Sequence, residues 1–269
     1  MPIVSLAALT ILDAGPAGQI RAAAAAGFTH VGLRLQPLLA TDTEVAGHPE
    51  REAEVARLLQ ETGLRLLEVG VFPVRSGFEM ALWEPAVALT ARLGGRFLVC
   101  PIEACEQPDQ IAGVRQVAAL AAAHGLEALV EFNPYSGCTT LAAAVSLVEA
   151  AGSDDVGLVI DAFHLSRSGG HPRDLAGVDR KLIKLIHFCD AAPYEPGSKS
   201  ADELRRESRT ARMLPGEGSL WLSELLDAVG PEVPLSVEAP SQSLAGLGTE
   251  ERAGRTFKAT MRFLGRSAS

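Results

Sequence analysis

The chain has 269 residues, of which 24 are Lys or Arg and 33 are Asp or Glu, giving a formal net charge of −9 at pH 7. Because an acidic surface repels phosphate backbones, this charge argues against general nucleic-acid binding. Hydrophobic residues make up 47% of the chain, which is enough to build a sizeable buried core.

The sequence also favours a soluble, cytoplasmic protein. No uninterrupted apolar run approaches the roughly 20 residues needed to cross a bilayer. The N-terminal segment lacks the basic region of a signal peptide. The four cysteines form no C-x-x-C pair, which indicates a reducing compartment rather than a disulfide framework. We therefore expect no membrane partner.

In chain order, apolar segments of strand length alternate with amphipathic segments of helix length. The predicted strands are Ile3–Ala8, His30–Leu35, Arg65–Phe72, Phe97–Pro101, Glu127–Phe132, Gly157–Ala162, Leu182–Phe188 and Leu235–Glu238. The predicted helices are Pro16–Ala26, Pro49–Thr62, Met80–Leu93, Asp109–His124, Leu141–Ala151, Ser219–Val229 and Thr249–Leu264. The connection after the sixth strand has the weakest helical pattern.

This alternation predicts one α/β domain over residues 1–269, a single (β/α)₈ TIM barrel. Eight strand–helix units in about 250 residues match such a barrel in number and length. An open, doubly wound sheet is the alternative, since it shows the same alternation. The one long irregular stretch, 191–218, is rich in Pro, Gly and charged residues, and loops of this length often act as lids.

Four of the predicted strands run into a carboxylate or an imidazole at their carboxyl ends. These residues are Glu131, Asp161, His187 and Glu238. In barrels this is the face that carries the chemistry. Each residue alone is best explained as a cap or a solvated rim group. Together, however, three buried carboxylates need compensation, and a divalent cation is the simplest one. Three carboxylates and one imidazole favour Mn²⁺, Mg²⁺ or Co²⁺, with Zn²⁺ as a further option.

The sequences around these strand ends resemble a known superfamily. VEFNPY at 130–135, IDAFH at 160–164, IHFCDA at 186–191, LPGEG at 214–218 and SVEAP at 236–240 are similar to the strand ends of the xylose-isomerase-like TIM barrels. That superfamily includes D-tagatose 3-epimerase, hydroxypyruvate isomerase, and inosose and dehydroshikimate dehydratases. The similarity extends along the whole chain, although its strong motifs lie in the second half.

The resemblance implies a role for individual residues. It implies that Glu131, Asp161, His187 and Glu238 are the metal ligands and that Glu131 and Glu238 are also the catalytic acid–base pair. The substrate contacts that it suggests are His164, Arg212, Asn133 and Asp190, with Arg209 as the alternative to Arg212. Two departures put the substrate in question: Pro193 replaces the arginine of the epimerases, and Gly32 replaces the glutamate of the usual V-E-L-R sequence in the second strand.

The leading functional hypothesis is an isomerase or epimerase of a sugar or sugar-like keto acid that acts by enediolate proton transfer. A dehydratase of a cyclic polyol ketone is the first alternative, and a non-catalytic binding protein on the same barrel is the second. The superfamily also contains endonuclease IV, but its three-zinc cluster needs further histidines from earlier strands and the seventh-strand loop, and too few of the six histidines here lie at such positions. We therefore expect a small-molecule substrate and no nucleic-acid partner. The sequence does not specify an oligomeric state, and a homo-oligomer remains an option.

Overall fold

The computed structural model describes residues 3–38, 42–77 and 79–265. Eight parallel strands pair in sequence order, and the eighth pairs with the first to close a barrel. The strands are β1 (Val4–Leu6), β2 (His30–Leu33), β3 (Arg65–Gly70), β4 (Phe97–Pro101), β5 (Glu127–Glu131), β6 (Val156–Asp161), β7 (Ile183–Phe188) and β8 (Leu235–Val237). The predicted (β/α)₈ barrel is confirmed, and the open-sheet alternative is wrong.

Helices surround the barrel, and most match their predictions within a few residues. They are α1 (Gly15–Ala26), α2 (Pro49–Thr62), α3 (Glu84–Arg92), α4 (Gln107–Ala123), α5 (Leu141–Ala151), α6 (Ala162–Arg167), α7 (Ala201–Thr210), α8 (Leu222–Val229) and α9 (Thr249–Phe263). Within the parts of the chain that the structure describes, no helix is both long and apolar enough to cross a membrane.

The segment 191–218 is not irregular throughout, because α7 lies inside it. Ser200 caps this helix: its side chain accepts a hydrogen bond from the backbone N–H of Glu203, and the Glu203 carboxylate accepts one from the backbone N–H of Ser200. This reciprocal capping satisfies donors that the first turn would otherwise leave unpaired. In the connection between β6 and β7, α6 has only six residues, and two short 3₁₀ helices follow it.

Alternation of side chains along the strands divides the core into two parts. One cluster lies inside the barrel and consists of Leu67, Phe97, Val99, Leu129, Val159 and Leu185. The larger cluster packs between the sheet and the helices. A residue two positions beyond an inward-facing strand residue also faces inward. Leu129, Val159 and Leu185 therefore place Glu131, Asp161 and His187 above them, at the carboxyl end of the barrel.

Candidate metal centre and active-site cavity

The structure brings together the four predicted ligands at the carboxyl end of the barrel. One ligand atom from each of Glu131, Asp161, His187 and Glu238 lies within 4.8 Å of the others. The first three belong to β5, β6 and β7, and Glu238 directly follows β8. Glu131, Asp161 and His187 are buried, and the side chain of Glu238 is 13% exposed.

The two ring nitrogens of His187 contact different carboxylates. Its Nδ1 lies 2.9 Å from Glu131 Oε1, 3.6 Å from Glu238 Oε2 and 3.8 Å from Asp161 Oδ2. Its Nε2 lies 3.2 Å from Glu68 Oε2, on the other side of the ring. Burial lowers the pKa of His187, but the negative charges of Glu238 and Glu68 outweigh burial and hold this pKa well above its usual value.

Arg212 neutralises two of the carboxylates. Its Nη1 donates to Asp161 Oδ2 at 2.6 Å, and its Nη2 lies 3.0 Å from Glu238 Oε2. Its Nε donates to the backbone oxygen of Ser208, near the end of α7, at 2.7 Å. Burial alone would raise the pKa of Asp161, but Arg212 and the two neighbouring histidines together hold it below its usual range. Burial raises the pKa of Glu238 to about 7, against the opposing effects of His187 and Arg212.

This donor set fits a divalent cation. Three carboxylates that converge in a buried site repel one another. Burial is the main cause of the raised pKa of Glu238, and the negative charges of Glu131 and Asp161 add to it. Oxygen-rich sets with one imidazole suit Mg²⁺, Mn²⁺ and related ions. Cys189 does not join the set: its Sγ accepts a weak contact from Arg212 Nη1 at 3.5 Å, and burial raises its thiol pKa to about 12.

A cavity of about 540 Å³ opens above the four ligands. Its volume is in the range of small-molecule sites. Three of the predicted substrate contacts, Asn133, His164 and Arg212, line this cavity, as does the alternative Arg209. His164 is 3% exposed, and among the described residues its Nδ1 has no hydrogen-bond partner. Burial lowers the pKa of His164, so the imidazole is held neutral beside the cavity.

Asp190 is not among the residues that line the cavity. Its Oδ1 accepts hydrogen bonds from the backbone N–H groups of Ala191 and Leu220 at 2.9 Å each, and its Oδ2 accepts one from Gly216 at 3.1 Å. A Cβ at Gly218 would lie 2.4 Å from Asp190 Oδ1, so only glycine permits this approach. The structure therefore places Asp190 under the LPGEG turn, where it fixes the loop after β7.

The cavity also includes residues beyond the predicted ligands and substrate contacts. Glu68 of β3 faces the cavity because β3 carries a bulge: Gly32 pairs with Glu68, and Leu67 is left without a partner on β2. Gly32 stands where the family's V-E-L-R sequence has a glutamate. The carboxylate of Glu68 lies next to this position, 2.6 Å from where a Cβ at Gly32 would be. Arg205 and Ser208 reach the cavity from α7. The S-x-x-E sequence at Ser200 was the signal that could have placed this helix.

A profile described as xylose isomerase-like TIM barrel matches residues 20–266. Inosose isomerase from Halalkalibacterium halodurans is 29% identical over 141 residues, or 51% of this chain and 47% of that protein. The 3-dehydroshikimate dehydratase of Pseudomonas aeruginosa is 30% identical over 236 residues, or 82% of this chain and 35% of that protein.

Among solved structures, the IolI protein with a bound zinc atom superposes with a TM-score of 0.82 at 18% identity, and the alignment covers 100% of both chains. At this identity the similarity supports the fold. The chain spans half or less of the length of the curated relatives it matches.

Proposed function

Because this chain belongs to the xylose isomerase-like TIM barrel family, we propose that it is a divalent-metal-dependent isomerase or epimerase of a small hydroxy-carbonyl compound. The observation that carries the proposal is the convergence of Glu131, Asp161, His187 and Glu238 at the carboxyl end of the barrel, next to a cavity of about 540 Å³. Relatives named inosose isomerase support the reaction class.

The same four residues would hold the cation. A divalent cation at this position would polarise the carbonyl oxygen of the substrate as a Lewis acid. The zinc atom in the structurally similar IolI protein supports a divalent metal. Mn²⁺, Mg²⁺ and Co²⁺ also suit the oxygen-rich donor set.

Glu131 and Glu238 carry the proton in this proposal. Both carboxylates line the cavity and extend from different strands, so they reach the substrate from different sides. One of them removes the proton from the carbon next to the carbonyl, and the other returns a proton to the adjacent carbon or to the opposite face.

His164, Arg212 and Asn133 orient the substrate. The Nδ1 of neutral His164 has no hydrogen-bond partner in the described part of the chain and can contact a substrate hydroxyl group. Arg212 is fixed by four hydrogen-bond acceptors, including Asp161 and Ser208, and therefore presents its charge in one position. The cavity volume of about 540 Å³ accommodates a single small polyhydroxy compound, and we propose no nucleic-acid partner.

A dehydratase is the second candidate. The dehydroshikimate dehydratase alignment covers 82% of this chain, against 51% for the inosose isomerase alignment, and this wider coverage favours it. The same proton removal, followed by loss of a hydroxyl group from the next carbon, would give an unsaturated ketone. Its ultraviolet absorbance distinguishes it from an isomerised product.

The test is incorporation of solvent deuterium into a panel of inososes, ketoses and 3-dehydroshikimate in the presence of Mn²⁺ or Zn²⁺. We expect exchange at the carbon next to the carbonyl for at least one compound. Glu131→Gln should lower its rate by about 10²- to 10⁴-fold, the usual contribution of a general acid or base.

Glu127→Gln is the matched control, because Glu127 lies at the opposite end of β5 and pairs with Lys184 at 2.6 Å. We expect this variant to exchange deuterium at the wild-type rate. Failure of the wild-type protein to exchange deuterium into any compound of the panel, with the metal bound, would contradict the proposed function.

A further inference from the structure

Glu68 lies next to the proposed metal centre without belonging to its four ligands. This carboxylate is 3% exposed and sits on β3, across the barrel from His187 on β7. Its Oε2 lies 3.2 Å from His187 Nε2, and its Oε1 accepts a hydrogen bond from Ser236 Oγ at 2.6 Å. Glu68 is therefore the hydrogen-bond partner of Nε2, the nitrogen of His187 that faces away from the other three ligands.

The space for this carboxylate depends on Gly32. A Cβ built at Gly32 would lie 2.6 Å from Glu68 Oε1 and 2.9 Å from Glu68 Cγ, both too close for real contacts. The bulge that pairs Gly32 with Glu68 turns the carboxylate into the barrel, and the missing side chain at Gly32 leaves room for it. The hydroxyl of Ser236 on β8 then fixes its orientation.

A neutral imidazole has one N–H group, and the partner of one ring nitrogen decides which nitrogen carries the proton. An acceptor at Nε2 keeps the proton there and leaves the lone pair on Nδ1. Nδ1 is the nitrogen that lies 2.9 to 3.8 Å from the oxygens of Glu131, Glu238 and Asp161. A carboxylate behind a ligating histidine also fixes the plane of the ring.

We infer that Glu68 is a positioning residue, held by Ser236 and accommodated by Gly32, that presents Nδ1 of His187 to a divalent cation. This inference rests on the metal site of the proposed function. It assigns to Glu68 the support of a ligand and no contact with the reacting atoms.

The experiment measures Mn²⁺ affinity by isothermal titration calorimetry for the wild-type protein, Glu68→Gln, Glu68→Ala and Gly32→Ala. Loss of such a support typically weakens metal binding by about 10- to 100-fold, and we expect this for Glu68→Ala. Glu68→Gln should lose less, because its amide oxygen still accepts the Nε2 proton. Gly32→Ala should weaken binding while every charged group remains, because it displaces the carboxylate. Combining Gly32→Ala with Glu68→Ala should be no worse than Glu68→Ala alone.

Glu103→Gln is the matched control. Glu103 is exposed and lines the same cavity, so the substitution removes the same charge, but none of its hydrogen bonds or ion pairs in the described structure involves His187. We expect its Mn²⁺ affinity to stay near the wild-type value. A loss equal to that of Glu68→Ala would show that general charge, not the contact with His187, sets the affinity, and would overturn the inference.

A second readout needs no metal. In protein labelled with ¹⁵N-histidine, the Nε2–H proton of His187 should give a protected low-field signal that Glu68→Gln retains and Glu68→Ala loses. An unchanged signal in Glu68→Ala, or lower thermal stability with unchanged Mn²⁺ affinity, would overturn the inference. Wild-type protein that binds Mn²⁺ no better than Glu68→Ala refutes only the role of Glu68. Wild-type protein that binds no divalent cation refutes the metal site itself, and the inference with it.

Discussion

Protons should compete with the metal for two of its ligands, and this competition can be measured. In the metal-free protein the pKa of Glu238 is raised to about 7 and that of His187 is raised well above its usual value. Both side chains must be deprotonated to ligate a cation, so metal binding expels the protons that they hold. Because protons stabilise the metal-free form, the apparent metal affinity should rise with pH and fall as the solution is made more acidic.

The size of the effect follows from these pKa values. With a pKa of about 7, roughly nine in ten Glu238 carboxyls are protonated at pH 6 and about one in ten at pH 8. Glu238 alone should therefore weaken Mn²⁺ binding by about tenfold between pH 8 and pH 6. At pH values where His187 is charged in the metal-free protein, its deprotonation should weaken Mn²⁺ binding by up to about a further tenfold for each pH unit of acidification.

Calorimetric titrations with Mn²⁺ in two buffers of different ionisation enthalpy report both the affinity and the number of protons released. We expect more protons to be released per bound Mn²⁺ at pH 6 than at pH 8. In Glu238→Gln this number should fall by the protons that Glu238 releases in the wild-type protein. Affinity and proton release that stay constant between pH 6 and pH 8 would refute this account of the electrostatics.

Three further predictions concern stability. Asp190→Ala removes the acceptor of one buried backbone N–H group, that of Ala191, and of two partly buried ones, those of Gly216 and Leu220. It should lower the free energy of unfolding by about 2–3 kcal/mol, measured in urea, and a loss below about 1 kcal/mol would contradict this role. Ser200→Ala removes the cap of α7 and should lower the free energy of unfolding by about 1 kcal/mol. Amide hydrogen exchange across 201–210 should become faster, and unchanged exchange would refute the role of this cap. Arg212→Ala should destabilise the metal-free protein by about 3–5 kcal/mol, since it removes the buried guanidinium that pairs with both Asp161 and Glu238. Saturating Mn²⁺ should recover part of this loss in thermal melts, and an equal loss with and without Mn²⁺ would be inconsistent with a cation at these carboxylates.

The barrel could be predicted from the sequence because its signals are local. Each strand is an apolar run, and the helix that follows it ends at a residue such as Gly27 or Gly63, which adopt φ values of 99° and 71°. The missed helix α7 has few apolar residues, so the hydrophobic pattern gave little indication of it. Its capping sequence from Ser200 to Glu203 was a local signal of another kind.

The four candidate ligands could be predicted for a related reason. Glu131, Asp161 and His187 each lie two residues beyond an inward-facing strand residue, and regular alternation carries that orientation forward. Glu68 breaks this rule. Simple alternation from the inward-facing Leu67 would turn Glu68 outward, and only the bulge between β2 and β3 turns it inward. A bulge depends on pairing between strands, which a single strand sequence does not reveal.

The segment after β7, whose length is typical of a lid, contacts the barrel at several points and forms part of the cavity wall. Asp190 and Met213 exchange backbone hydrogen bonds, and the backbone N–H of Arg212 donates to the carbonyl of Pro240 beyond β8. Ser208 of α7 bonds the hydroxyl of Tyr135 at 2.7 Å, on the loop after β5. Opening the whole segment would break these contacts together with the two ion pairs of Arg212 to the candidate ligands Asp161 and Glu238. The same residues that shape the cavity therefore hold the proposed metal centre in place, because Arg212 belongs to both.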